Sequence, residues 1–272
     1  MTGESVWLGP LRRPVQILMF LFVAAAVLLF AWLAVNRVLD ADAIGMSEML
    51  RPEGRPLAVA MLGLLFGALL FTALFLSDTI GAIEPRPDGF FDLVSLVLSR
   101  LAMVGIVLVV MVMFYEVVSR YVFEKPTLWA NELSLWIAAF LFLLAGLYAM
   151  QQRSHIRIYI IYDVMPRWAQ KLSDCVSVLL IWAFTVSLVW GGYNEAYAKL
   201  FRWETFGTAW DPPIPATVKP GILIIIGLVA IQALSNLIAD WNKAPEHHSP
   251  ADEIDETEIE TIKATLKGSD NG

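Results

Sequence analysis

The chain carries few residues that could do covalent chemistry, and their placement does not favour it. Three histidines, His155, His247 and His248, and a single cysteine, Cys175, make up its stock of imidazole and thiol groups. One cysteine rules out an intrachain disulfide and a thiolate metal cage built from this chain alone. A haem held between spans needs histidines inside apolar runs, and none lies in one. His247 and His248 are adjacent in a polar tail without a third ligand nearby, which reads as a solvated pair. Neither H-E-x-x-H, G-x-S-x-G nor G-x-x-x-x-G-K-[ST] occurs. The expectation is therefore no catalysis, no metal, no cofactor and no nucleotide hydrolysis.

The carboxylates sit at the ends of apolar runs. Glu116 falls near the end of one, Glu132 just before the next, and Asp174 just before another. An ionisable group at mid-bilayer costs at least about 2.5 kcal/mol and is kept there for use, so bare span centres argue against a proton relay or ion path. Glu116 and Arg120 are spaced i, i+4 and can pair on one helix face. Tyr121-Val122-Phe123-Glu124-Lys125-Pro126 then breaks the helix, and Trp129 with Glu132 opens the following one, which predicts a hairpin. Tyr121 and Trp129 would anchor it at one membrane face. Tyr159, Tyr162 and Trp168 would do so at the other, around His155, Arg157 and Asp163.

Hydrocarbon is the solvent that such a pattern requires. Of 272 residues 58% are hydrophobic and 17% charged, and the mean hydropathy is +0.64. A soluble domain carries about 45–50% apolar residues. A helix crosses the bilayer core with about 20 apolar residues. Six segments qualify: Val15–Val35, Leu57–Leu76, Leu101–Val118, Leu133–Met150, Cys175–Tyr193 and Gly221–Ala239. The fold class is thus an all-α integral membrane protein with about six transmembrane helices. The first segment, preceded by Arg12 and Arg13, resembles a secretory signal, but its apolar stretch is too long for a signal core and reads as an uncleaved span. Residues 90–99 read as an interfacial helix that bends into the membrane after Arg100; a single long tilted helix accounts for the same residues. Gly63 and Gly67 form a G-x-x-x-G, read as internal packing before dimerisation.

Arg153, Arg157, Arg167 and Lys171 concentrate positive charge in the stretch 151–172 and place it, with both termini, on the cytoplasmic side. Residues 243–272 hold eight acidic residues and three lysines. Within this tail Ser249-Pro250 reads as the start of a short helix. Outside the tail the chain is nearly neutral, and without a concentrated basic face nucleic acid is excluded as a partner.

Taken in order, Arg120-Tyr121-Val122-Phe123, Pro126, Trp129, Glu132-Leu133, Arg153-Ser154-His155-Ile156-Arg157-Ile158, Met165-Pro166 and the stretch Pro212 to Pro220 resemble a known family. It is the small membrane subunit of TRAP, tripartite ATP-independent periplasmic, transporters, and the likeness spans about residues 90–240. The resemblance implies a bacterial inner-membrane protein with four family-like helices. Its partners would be a large elevator-type subunit that carries sodium and substrate, a periplasmic binding protein that delivers a carboxylate, and membrane lipids. It also implies that Arg120, Tyr121, Trp129, Glu132, His155 and Arg157 make inter-subunit or lipid-headgroup contacts. Family members commonly have glycine before the histidine and an acidic residue where Tyr159 stands, and this chain departs at both. It departs further in residues 1–89, which add two spans, so the expected organisation is 1–89, 90–242 and the tail 243–272. The competing readings are a self-contained carrier or channel, which needs polar groups along a path, and a membrane anchor that docks another complex through the acidic tail.

Overall fold

The computed structural model describes residues 5–40, 43–81, 84, 86–87, 89–153, 162 and 165–242. After a 3-10 turn over Gly9–Leu11, the helices are α1 (Arg12–Leu39), α2 (Met46–Leu50), α3 (Pro56–Ser77), α4 (Phe90–Tyr121), α5 (Ala130–Gln151), α6 (Arg167–Phe201) and α7 (Ile214–Asp240). All but the short α2 are long and apolar enough to cross a membrane, six spans as the hydropathy predicts. No strand occurs among the described residues.

The helices start and stop where local chemistry dictates. Pro56 stands at the first turn of α3, where its missing N–H would have had no partner anyway. Pro166 precedes α6 in extended conformation. Pro220 lies inside α7, where it withholds one N–H from the helix ladder. Two helices outrun their apolar segments. α6 has 35 residues, about 52 Å at 1.5 Å per residue, so both ends leave the hydrocarbon. α4 is one continuous helix from Phe90 to Tyr121, so a single long helix is the form adopted in place of a separate interfacial helix over residues 90–99. The reason lies in its inward face: Asp92, Ser95, Ser99 and Arg100 are all buried against neighbouring helices, so nothing pulls the first turns out onto the membrane surface.

Packing runs as a chain of neighbours: α1 on α3, α3 on α4, α4 on α5, α5 on α7 and α7 on α6, with α4 also touching α7. The core is apolar, with Ala102, Leu144, Leu147 and Ile225 buried together and Leu98, Phe140 and Leu141 around them. Close approach uses glycine. A Cβ at Gly67 would run into the Phe22 ring of α1, while Gly63 faces open space. The G-x-x-x-G therefore serves the α1–α3 contact through its second glycine, where the Phe22 ring also packs at a tilt against Phe71 with centroids 5.3 Å apart.

Polar contacts fasten this N-terminal hairpin at both ends of the bundle. At one end Asp78 follows α3, and its Oδ1 accepts from the backbone amides of Val6, Trp7 and Leu8 at 2.9–3.0 Å and from Ser5 Oγ at 2.9 Å. Arg12 lies 3.3 Å from Oδ2. Burial pushes the Asp78 carboxyl up, but the Leu8 and Trp7 amides, Ser5 and Arg12 outweigh it and hold it below the usual carboxylate range. At the other end the Trp210 indole donates to the Met46 carbonyl at 3.0 Å, and Arg51 lies 3.5 Å from Asp211.

Candidate functional site

Two polar clusters and one hairpin carry the chemistry of the described residues. The first cluster joins the N-terminal hairpin to α4 and α5. Arg100, 7% exposed, comes from the third turn of α4. Its guanidinium donates to Glu84 Oε1 at 3.0 Å and Oε2 at 2.5 Å, and to the Thr79 carbonyl at 3.1 Å. Tyr148 of α5 donates to Glu84 Oε1 at 2.5 Å, and the Gly81 amide donates to Oε2 at 2.8 Å. Burial raises the Glu84 carboxyl, yet the bonds from Arg100, Tyr148 and Gly81 prevail and bring it down to about 2. The carboxylate is thus charged at any physiological pH, and Arg100 is never left alone.

The second cluster lies between α4, α5 and α7. Gln232, 1% exposed, donates to Asp92 Oδ1 at 2.5 Å and to Asn236 Oδ1 at 2.9 Å, and its Oε1 accepts from Ser95 at 2.9 Å. Asn236 donates to the Met150 carbonyl at the end of α5 at 2.7 Å. Arg153, just past α5, bonds Asp240 through Nε at 2.6 Å and Nη2 at 3.1 Å. Each amide uses donor and acceptor together, the condition under which polar groups are tolerated inside a helix bundle.

The hairpin between α4 and α5 forms as its sequence predicts: α4 ends at Tyr121 and α5 starts at Ala130. Arg120 pairs with Glu116 across i, i+4, with Nε 2.9 Å from Oε1. The other carboxylate oxygen, Oε2, accepts from the Thr127 amide at 3.0 Å and from the Thr127 hydroxyl. One buried carboxylate therefore organises the whole turn. Trp129 stacks on Tyr115 with centroids 5.6 Å apart. Tyr121, 76% exposed, points away from the bundle. Glu132 accepts from Thr208 at 2.7 Å, which ties the start of α5 to the α6–α7 loop.

Of the residues singled out by sequence, the structure gathers Arg120 and Trp129 in the α4–α5 hairpin, places Glu132 in the first turn of α5 where it bonds Thr208 of the α6–α7 loop, and leaves Tyr121 outward. His155 and Arg157 lie outside the described residues, as do Tyr159, Asp163, the His247–His248 pair and the acidic tail with its short helix. Sequence reasoning missed both buried clusters. Asp92, Ser95 and Ser99 recur at helical spacing, and Gln232 with Asn236 sits i, i+4 in an apolar run, which is the signal that could have found the second. Nothing local links Glu84 to Arg100 and Tyr148. Among the described residues no group of three histidine, cysteine or acidic side chains is arranged to hold a metal.

Two comparisons bear on this architecture. Residues 109–243 match the family model described as tripartite ATP-independent periplasmic transporters, DctQ component. A relative from Vibrio cholerae serotype O1, a C4-dicarboxylate TRAP transporter small permease protein DctQ, is 29% identical over 108 residues. That alignment covers 38% of this chain and 44% of the relative, so the likeness spans less than half of either protein. The matched region runs from the middle of α4 through the Glu116 hairpin, α5 and α6 to the end of α7, and omits the N-terminal hairpin. Residues 109–243 thus match the DctQ component of tripartite ATP-independent periplasmic transporters, and the relative that this chain resembles is named a small permease protein.

Proposed function

We propose that this chain is the non-conducting small subunit of a TRAP secondary transporter and acts as the static brace for a large subunit that moves the cargo. The family match over α4 to α7 carries this reading. The electrostatics support it. The buried charges Asp78, Arg100 and Glu116 are engaged by Arg12, Glu84 and Arg120 of the same chain. Charges used in this way stiffen a bundle and leave little with which to coordinate a travelling ion.

In this reading the large subunit binds sodium and substrate and moves as an elevator, while a periplasmic binding protein delivers the solute. The name of the Vibrio relative points to C4-dicarboxylates as the first solutes to try. No enzymatic step is assigned to the chain. The basic residues of 151–172 favour the cytoplasmic side for that loop and for both termini. The surroundings of Arg120, Tyr121, Trp129, Glu132, His155 and Arg157 are proposed to meet the large subunit or lipid headgroups. The N-terminal segment 1–89 is proposed as an added module on the family core of 90–242, followed by the tail from residue 243.

The test is copurification of the tagged chain with the large subunit, followed by uptake into vesicles containing both and supplied with binding protein. Recovery of the pair and uptake that needs all three proteins is the expected result. Failure of the large subunit to copurify under any mild detergent would overturn the proposal.

A further inference from the structure

The start of α6 and the end of α7 form a corner from which the last residues of the chain depart. Lys171, on the second turn of α6, holds its Nζ 4.7 Å from the ring centroid of Trp241, the residue that follows α7. Around this contact Trp168 is 70%, Leu172 56% and Ile238 70% exposed. Arg167 opens α6 and hydrogen-bonds Gln170 at 3.2 Å. The corner is thus apolar in its floor and cationic at its edge.

Depth and charge decide what kind of group belongs there. Trp168 precedes the apolar segment that begins at Cys175 by about 10 Å along the helix, so it stands beyond the hydrocarbon and lipid tails do not reach it. At this end of the bundle Asp78 is engaged by Arg12, Glu84 by Arg100 and Asp240 by Arg153. Among the described residues no carboxylate pairs with Lys171, whose neighbour is the Trp241 ring. A cation resting on a ring still attracts an anion on its open side. The group that fits is therefore an apolar segment bearing carboxylates.

Such a segment follows directly in the chain. Residues 243–272 hold eight acidic residues against three lysines. In their sequence Asp252, Asp255, Ile259, Ile262 and Leu266 recur at i, i+3, i+7, i+10 and i+14, one stripe of a helix, acidic in its first half and apolar in its second. The linker from Lys243 to Ser249 reaches about 24 Å when extended, far enough to bring the stripe back to the corner. Helices that lie on lipid present Lys and Arg to the headgroups, whereas aspartates are repelled by an anionic headgroup layer. We infer that residues 250–267 fold back as a helix onto the α6–α7 corner of the same chain. Asp252 and Asp255 meet Lys171 and Arg167, and Ile259, Ile262 and Leu266 cover Trp168 and Leu172. The contact is a cap held by charge, which high salt releases.

Benzoylphenylalanine in place of Ile262, in the full chain in bilayer vesicles, tests the seat, with the crosslinked peptides located by mass spectrometry. The expected crosslink is within one polypeptide, to residues 165–172 or 238–242. Its yield should fall several-fold in about 1 M salt, where the screening length is about 3 Å. Asp255→Lys is expected to lose the crosslink and Asp255→Lys/Lys171→Glu to regain it, a recovery that neither a purely apolar contact nor a damaged fold would give. In a Cys175→Ser background, Trp168→Cys is expected to react several-fold faster with a bulky soluble maleimide once residues 243–272 are removed. Crosslinks to lipid, to a second copy of the chain, to another protein or to the exposed Phe90–Phe91 tip of α4 would overturn the inference. So would a yield indifferent to salt and to both charge changes, or no crosslink at all. Each of these outcomes leaves the transporter reading intact.

Discussion

Removing the Glu84 carboxylate is the sharpest way to ask whether the N-terminal hairpin is fastened to the bundle as described. In Glu84→Ala, Arg100 loses both charged hydrogen bonds, at 3.0 and 2.5 Å, and keeps only the Thr79 carbonyl at 3.1 Å and the Met103 sulfur at 3.4 Å. Its Nε already lacks a partner, so the variant buries an almost naked guanidinium. Breaking a buried pair from one side costs about 3–5 kcal/mol, whereas replacing both members by apolar groups is often close to neutral. Thermal unfolding of the purified chain in detergent should therefore show a melting temperature lower by roughly 10 °C for Glu84→Ala. The double variant Glu84→Ala/Arg100→Leu should recover most of that loss, because the orphaned charge has gone. Tyr148→Phe removes one bond to Glu84 and should cost about 1 kcal/mol. A double variant as unstable as the sum of its single changes would refute the reasoning, since Glu84 and Arg100 would then act independently.

The remaining predictions probe other contacts. Glu84, held down at about 2, and Asp78, also lowered, stabilise the fold fully above the ordinary carboxylate range and lose that contribution as pH falls through their folded-state values. The melting temperature should therefore decline as pH drops from about 4.5 towards 2, and Glu84→Gln should flatten that decline. Glu116→Gln loses its charge for Arg120 and Thr127 and should cost about 1–3 kcal/mol, with faster hydrogen exchange at the amides of Thr127 to Ala130 as the local readout. Gly67→Val forces Phe22 aside and should destabilise the hairpin by about 1–3 kcal/mol, while Gly63→Ala, facing open space, should leave the melting temperature unchanged.

The six spans were legible in the sequence because length and apolarity alone define a crossing, and each apolar segment lies inside an observed helix. The α4–α5 hairpin was equally legible: Glu116 and Arg120 are four residues apart, and Pro126 forbids continuation, both local facts. The course of α4 before Leu101 was not. Arg100 interrupts the apolar run, and a lone sequence cannot say whether a carboxylate waits beside it. The answer lies in Glu84, sixteen residues upstream, and in Tyr148 on another helix. The cluster of Ser95 with Gln232 spans 137 residues, and the capture of Leu8 by Asp78 spans 70, separations at which residue spacing carries no information about contact.

Solute flux into vesicles tests the account as a whole. Vesicles holding this chain alone, charged with a sodium gradient and offered a C4-dicarboxylate with its binding protein, should take up nothing above protein-free vesicles, while adding the large subunit should start uptake. Uptake by this chain alone would contradict the claim that it braces a transporter without conducting anything itself.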